Sequence, residues 1–480
     1  MCRGERDVLI PGKPLFYTTT SGTTSKPKLI PVGADYFKTY NQLTKLWLYT
    51  CLRDNPGLYK GQSLSVVSPA AEGVVEDGTP YGSISGVTYR NIPSVLKSTY
   101  ATPYPVVGIR DYQLKYYAMM RFGLQSTISY IISASPASIV RLNQVALEQF
   151  ESLVRDIRDG SMRADALAAV DPDGRDEVIA ALRPDPSRAR DLEALVRRHG
   201  DQLRPRHYWP SLACVNTWKQ GNFAALLPRL EGFFPESTSV RAFGYWASEG
   251  RGGLVLGNDW DVSVLAGHAH VFEFIPEEDR EKEHPRTLWP HEVQAGRRYF
   301  ILFTNGSGLY RYDINDLVEI VGFYYQYPLF RFIRKGEGVT SLTGEKVTEP
   351  QVIQAMDEAG EQTGAYIEFY TLFCDESRGR YRLFAEFGPS CSRDDKIRVL
   401  SAFDERLRAI NREYEAKRGT RRLDAPVLEE MCCGSYEALK ELLISHGFAR
   451  EGQYKESFLR RRAELLPLFE RLILSDPQYA

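Results

Sequence analysis

Short apolar runs alternate with helix-period segments through the first third of the chain, and this alternation limits the possible folds more than any other feature. Leu64–Val67 and Thr127–Ser133 read as strands, and the helices fall near Asp111–Leu124 and Ser135–Arg158. The second helix opens with Ser135 at its cap and Pro136 in its first turn. Such β/α alternation predicts an open α/β sheet. Ahead of it, Leu15-Phe16-Tyr17 enters a Thr/Ser/Gly tract that ends at Lys28-Leu29-Ile30-Pro31, a pattern of strand, loop and strand. From Asp35 onward Phe37, Tyr40, Leu43, Trp47 and Cys51 recur at helical spacing, until Asn55-Pro56-Gly57 stops the helix.

Residues 155–206 are rich in Arg, Asp and Ala and are divided by DPDGR and RPDPSR turns, which predicts a solvated helical insertion. Strand signals return at Leu212–Asn216 and Val240–Phe243. They then crowd together at Val271–Ile275, Tyr299–Phe303, Leu317–Val321 and Leu329–Ile333, as expected of a small barrel or a second sheet. Beyond Arg334-Lys335-Gly336-Glu337-Gly338, a helix opens at Thr348-Glu349-Pro350. Strands near Tyr366–Phe373 and Tyr381–Phe387 and a helix near Asp394–Ile410 follow. With 480 residues the chain exceeds one ordinary core. The expected organisation is a large α/β domain over 1–333 with a small β-barrel-like part, then a smaller, mobile α+β domain over 334–480. The glycines near 331–338 would serve as the hinge.

Charged residues make up 25% and the formal net charge is −2, so no basic field exists to hold nucleic acid or an anionic bilayer. The first residues, MCRGERDVLIPGKPLFY, lack a signal-peptide core, and no apolar run is long enough to span a membrane. Seven scattered cysteines without a CxxC pair point to a reducing, cytoplasmic setting. His268 and His270 would share one strand face, but no second ligand cluster supports a metal site, so they read as structural. Tyr116, Tyr117, Met119, Met120, Phe122, Trp209, Trp218 and Phe223 read mostly as core, some of them lining a pocket. Arg121 reads as a helix-surface arginine, with pairing to a carboxylate as its alternative.

The tract Thr18-Thr19-Thr20-Ser21-Gly22-Thr23-Thr24-Ser25-Lys26-Pro27-Lys28 carries the strongest chemical signal. Dense hydroxyls, backbone N–H groups freed at Gly22 and a closing lysine suit a loop wrapped around triphosphate oxygens. The GxxxxGK[ST] spacing of a Walker loop is absent.

In its order of residues this tract resembles the phosphate loop of the adenylating superfamily that includes acyl-CoA synthetases, firefly luciferase and nonribosomal peptide adenylation domains. Tyr245-Trp246-Ala247-Ser248-Glu249-Gly250 is similar to the superfamily segment beside the nucleotide. The resemblance implies that Glu249 is a Mg²⁺ ligand and that Ser248 lies near the α-phosphate. Gly308-Leu309-Tyr310-Arg311-Tyr312-Asp313-Ile314-Asn315-Asp316 is similar to the segment that holds the ribose. Asp316, which precedes the apolar run Leu317, Val318, Ile320 and Val321, is favoured over Asp313 as acceptor of both ribose hydroxyls. Asn315 stands where relatives usually carry glycine. Phe332-Ile333-Arg334-Lys335 resembles the hinge strand, whose arginine, here Arg334, contacts ribose.

The whole pattern most resembles the acyl acid amido synthetases that conjugate auxin and jasmonate in plants, together with their bacterial relatives. It includes SLTGEKVTEPQV, where Lys346 matches a lysine directed at the nucleotide, and Gly452-Gln453-Tyr454-Lys455, where Lys455 matches one that swings over the α-phosphate. Lys455 is followed by Glu456-Ser457 rather than by a nearby proline. The phosphate loop also begins at Thr18, where relatives carry a longer helical segment before it. The resemblance implies ATP and Mg²⁺ as cofactors, and a small carboxylic acid and an amine, an amino acid foremost, as substrates. Ser21, Gly22, Thr23, Thr24, Ser25, Lys28, Tyr245, Ala247, Ser248, Glu249, Asp316, Arg334 and Lys346 would surround the nucleotide, with Lys28 and Lys455 as catalytic cations. Two alternatives are a thioester ligase working through the same adenylate and a non-catalytic nucleotide-binding regulator.

Overall fold

The computed structural model of the chain describes residues 1–19, 28–280, 282–336, 338–340, 342, 345, 347–375, 377–419, 423–449, 456–461 and 463–474. The chain divides into two compact units, one running from Met1 to Ile333 and the other beginning at Arg334.

The first unit is built on three sheets. The strands β1 (Phe16–Thr19) and β2 (Leu29–Val32) pair antiparallel and bring the two ends of the hydroxyl-rich tract together, Thr19 opposite Leu29. Two short strands, β4 (Gly73–Val74) and β5 (Pro80–Gly82), complete a sheet in the order β2-β1-β5-β4. The second sheet is parallel throughout, in the order β3 (Gln62–Val66), β6 (Ile128–Ser133), β7 (Cys214–Thr217) and β8 (Ser239–Ala242). The third has six strands, in the order β11 (Val271–Pro276), β12 (Arg298–Asn305), β13 (Leu309–Tyr324), β14 (Tyr327–Lys335), β10 (Ser263–Leu265) and β9 (Gly253–Leu254). It is the second-sheet form of the two arrangements that the crowded strand signals allowed.

The long helix α1 (Ala34–Asp54) buries Tyr36, Tyr40, Leu43, Trp47 and Cys51 and ends at Asn55, whose N–H bonds back to Cys51. Its buried stripe therefore runs through Tyr36, with Phe37 only partly covered. Asp111 caps the helix Tyr112–Gln125 by accepting the Leu114 N–H. The single helix expected over Ser135–Arg158 is two, Pro136–Glu148 and Phe150–Asp159, broken at Gln149. Both halves keep apolar spacing, so periodicity alone does not reveal the break.

The 155–206 region contains the helices Ala164–Ala168, Pro172–Ala181 and Pro186–His199. Its inner faces are not solvated: Ala166, Val170, Val178, Ala189, Leu192 and Leu203 join the same core as Tyr116, Tyr117, Met119, Met120, Phe122 and Trp209. Arg121, expected on a helix surface, is fully buried, and among the described residues its hydrogen bonds go to no carboxylate. Its Nε donates to Ser161 O at 2.8 Å, Nη1 to Gln125 Oε1 at 2.7 Å and Nη2 to Arg183 O at 3.4 Å. Burial lowers its pKa to about 10, and the side chain pins the helical segment to the core.

In the second unit, β15 (Val339–Thr340) and β16 (Val347–Thr348) form a ribbon. The strands β19 (Val427–Glu430), β18 (Arg380–Phe387), β17 (Ile367–Asp375) and β20 (Leu459–Arg460) form a sheet in that order. The helices Glu349–Thr363 and Arg393–Ile410 both open with capping boxes, Thr348 with Gln351 and Ser392 with Asp395. Among the described residues no helix is long and apolar enough to cross a membrane.

Candidate active site

Open α/β sheets bind ligands beyond the carboxyl ends of their strands. The segment Tyr245–Gly250 follows β8 at that end. Gly244 makes the turn possible: its φ is +112°, and a Cβ there would lie 2.5 Å from Gly253 O. The Tyr245 carbonyl accepts the N–H groups of Gly252 and Gly253, and Ala247 and Gly250 exchange backbone hydrogen bonds at 2.9 and 3.2 Å. Ser248 Oγ donates to Thr19 O at 2.8 Å and so ties this turn to the entrance of the hydroxyl-rich tract. Ser21, Gly22, Thr23, Thr24 and Ser25, within that tract, lie outside the described residues.

At the exit of the tract, Lys28 Nζ donates to Tyr312 Oη at 3.3 Å and stands 5.5 Å from the Tyr312 ring centre. Tyr312 Oη in turn donates to Glu249 Oε1 at 3.4 Å. Lys28 and Glu249 thus face one tyrosine, although they come from the residue before β2 and the post-β8 turn. Tyr312 was not singled out in the sequence, yet it lies inside the Tyr310–Asp316 segment that was.

A bulge supplies the next group. Ile301 pairs with Asp316 and Leu302 with Asp313, so Ile314 and Asn315 are extra in β13. Bulges re-aim side chains at sheet rims and active sites. Asp316 is 4% exposed, and its Oδ2 accepts the Tyr245 hydroxyl at 2.6 Å. Burial, and then the neighbouring Asp316 carboxylate, push the Tyr245 hydroxyl well above its ordinary range, which keeps it a neutral donor. Asp313, by contrast, stays in the turn itself. It pairs with Arg280 at 2.5 Å and accepts the Asn315 N–H at 2.8 Å, while Arg280 also donates to Asn315 Oδ1 at 3.0 Å. Asn315 has φ +59°, a left-handed conformation that glycine adopts freely and that asparagine tolerates better than most other residues.

Two further buried side chains hold Glu249 by its backbone. Tyr36 Oη donates to Glu249 O at 3.0 Å and Asn305 Nδ2 donates to the same oxygen at 2.7 Å. Neither residue lies in a segment that the motifs mark. Arg334's side chain, Lys346, Lys455 and Phe223's side chain lie outside what is described. His268 and His270 lie in the turn before β11 rather than on a strand, with His268 exposed and His270 buried. Among the described residues no cluster of three His, Cys, Asp or Glu forms a metal cage. A cavity of about 420 Å³ lined by Tyr89, Arg90, Tyr100, Tyr104 and Phe122 opens at the amino ends of β3 and β6, the opposite end of the sheet from Glu249.

The fold places this arrangement in a class. A 2-hydroxyisobutyryl-CoA ligase, solved in the postadenylation state with an acyl-AMP, superposes with a TM-score of 0.54 at 11% identity, over 95% of this chain and 75% of that one. A GH3.15 acyl acid amido synthetase superposes with a TM-score of 0.83 at 20% identity, over 99% and 84%. The chain has the architecture of the acyl-adenylate-forming ligases, enzymes that use ATP. Within that class, the GH3 family N-terminal, central and C-terminal domains match residues 1–239, 263–335 and 350–464. The probable indole-3-acetic acid-amido synthetase GH3.4 of Oryza sativa subsp. japonica is 26% identical over 95% of this chain and 76% of its own length. The chain belongs to the GH3 family, the acyl acid amido synthetases.

Proposed function

We propose that this protein converts a small carboxylic acid and ATP into an acyl-AMP and then passes the acyl group to an amine, an amino acid in keeping with its relatives. The observation that most supports this reading is the meeting of three distant segments: Ser248 on Thr19, Tyr312 between Lys28 and Glu249, and Tyr245 on Asp316. A carboxylate is a poor electrophile until it gains a better leaving group. In the first step a substrate carboxylate oxygen bonds to the α-phosphorus and the bond to pyrophosphate breaks. In the second, the amine nitrogen bonds to the acyl carbon and loses a proton, and AMP leaves with the electrons of the carbon–oxygen bond.

The residue roles follow from charge. Thr23, Thr24 and Lys28 hold the departing phosphates, and Lys455 offsets charge growing on the α-phosphate. Ser21, Gly22, Ser25, Ala247 and Ser248 line the phosphate side. Asp316, oriented by Tyr245, takes the ribose hydroxyls, and Arg334 and Lys346 complete the nucleotide contacts. Glu249 is a buried carboxylate with no protein cage around it among the described residues, which suits Mg²⁺ carried in on ATP, since that ion takes one or two carboxylates plus substrate phosphates. Glu249 would hold it, and the ion would supply neutralisation of phosphate charge. All seven cysteines are free, in keeping with a reducing, cytoplasmic setting.

Carboxylate-dependent ATP–pyrophosphate exchange over a panel of acids, followed by mass spectrometry of the products formed with amino acids or CoA, tests the reading. Exchange with amide products supports it. Thioesters alone would make the protein a thioester ligase, and no exchange with any acid would leave a nucleotide-binding regulator.

A further inference from the structure

We infer that Tyr36 and Asn305 are positioning residues that set the direction of the Glu249 carboxylate, an inference that rests on Glu249 holding the metal–ATP complex. Two buried donors from separate elements, α1 and the end of β12, converge on the carbonyl oxygen of Glu249 at 3.0 and 2.7 Å. A carbonyl oxygen has two acceptor sites, so this pair fills it. The Asn305 amide cannot turn freely, because its Oδ1 accepts the Ser307 N–H at 2.9 Å. With that carbonyl fixed, the peptide plane after Glu249 is fixed as well, and the side chain departs from a set backbone.

The neighbouring residues strengthen the hold. A Cβ on Gly250 would come within 3.4 Å of Asn305 Nδ2 and 3.5 Å of Tyr36 Oη, so the two donors close directly on this peptide. Arg251, 4% exposed, lies between the rings of Trp246 and Tyr40, 3.6 and 4.0 Å from their centres, and donates to Tyr40 Oη at 2.9 Å. Tyr36 and Tyr40 are one helical turn apart on α1, so a single helix face grips the turn on both sides of Gly250. Among the described residues the carboxylate itself has a single hydrogen bond, at 3.4 Å. One donor satisfies a buried carbonyl; the second, together with the weakly engaged carboxylate, marks a group held by its backbone so that its oxygens stay available to a ligand.

The test uses the full-length chain and the variants Tyr36→Phe, Asn305→Ala, their double variant and Glu249→Gln. Binding of Mn²⁺ to the enzyme–ATP complex is measured by electron paramagnetic resonance, alongside ATP affinity without divalent cation and the thermal midpoint. Each single positioning variant is expected to weaken Mn²⁺ binding about three- to tenfold, the range of one lost hydrogen bond. Metal-free ATP affinity should stay within about twofold, and Glu249→Gln should weaken Mn²⁺ binding more than either. A lowered thermal midpoint with wild-type Mn²⁺ affinity would reduce the two residues to structural props and overturn the inference. Tyr36→Phe keeps the ring in place and carries the test if Asn305→Ala does not fold. If Glu249→Gln binds Mn²⁺ as the wild type does, the assignment of Glu249 fails and takes the inference with it. If only Tyr36→Phe and Asn305→Ala match the wild type, the inference fails alone.

Discussion

Arg241 and Glu249 lie on either side of one strand-to-turn passage, and both are buried, but their charged ends are treated differently. Arg241 on β8 is 0% exposed, and protein oxygens surround it: Asp54 Oδ2 at 2.9 Å, Asn258 Oδ1 at 3.1 Å, Thr50 Oγ1 at 2.6 Å, Val255 O at 2.9 Å and Thr50 O at 3.3 Å. Glu249 is gripped at its backbone and, among the described residues, touched at its carboxylate only by Tyr312. A buried charge costs several kcal/mol unless partners replace the lost water. Where the protein supplies those partners, as at Arg241, the charge belongs to the architecture and joins α1 to the parallel sheet. Where it does not, the remaining partners are expected from a ligand.

Substitutions should split along the same line. Lys28→Ala, Lys455→Ala and Glu249→Gln should each lower ATP–pyrophosphate exchange by about 10²–10³, roughly 2.7–4 kcal/mol of transition-state stabilisation, with unfolding midpoints close to wild type. Arg241→Met should do the reverse. It removes one partner of Asp54, which keeps Arg53 at 2.7 and 3.0 Å, and leaves the buried Thr50 and Val255 oxygens short of a donor, so it should cost about 2–3 kcal/mol in denaturant unfolding, less than breaking a fully buried pair, while exchange per folded molecule is kept. A large loss of exchange in folded Arg241→Met would break the comparison.

Asp313 and Asp316 repeat the contrast at shorter range. Asp316→Asn should raise the KM for ATP about tenfold, near 1.4 kcal/mol, whereas Asp313→Asn should loosen only the Arg280–Asn315 turn and leave that KM unchanged. An effect of similar size concerns His270, which packs beside Tyr36 and Phe272. Burial lowers its pKa from 6.5 to about 4, so the folded protein keeps it neutral while the unfolded chain protonates. Stability should therefore fall as pH drops through 6.5 toward 4 and level off below. At pH 5.5 the penalty is about 1.4 kcal/mol, and it should be missing from the urea unfolding of His270→Gln.

Local order was legible where it follows from local chemistry. The Thr/Ser/Gly tract between two apolar runs reads as a loop between strands, and Thr348-Glu349-Pro350 announces a helix start. The apolar run after Asp316 marks the residue that enters the interior, and Asp313 serves the turn. The residues that hold Glu249 were not legible. Tyr36 and Asn305 come from segments far apart in the chain, and nothing in α1's periodicity distinguishes a tyrosine that packs from one that also donates. Arg121 was misread for a related reason. Two of its three acceptors, Ser161 O and Arg183 O, are backbone carbonyls of loops in the 155–206 region, which carry no side-chain signature. The break at Gln149 escaped because both flanking helices keep one apolar phase.

The most direct measurement is a structure of the chain bound to α,β-methylene-ATP, which cannot release pyrophosphate. The proposed chemistry requires ribose hydroxyls within hydrogen-bonding distance of Asp316 and phosphates beside Glu249 and Lys28. A nucleotide bound elsewhere, with these three side chains left facing solvent or protein alone, would contradict it.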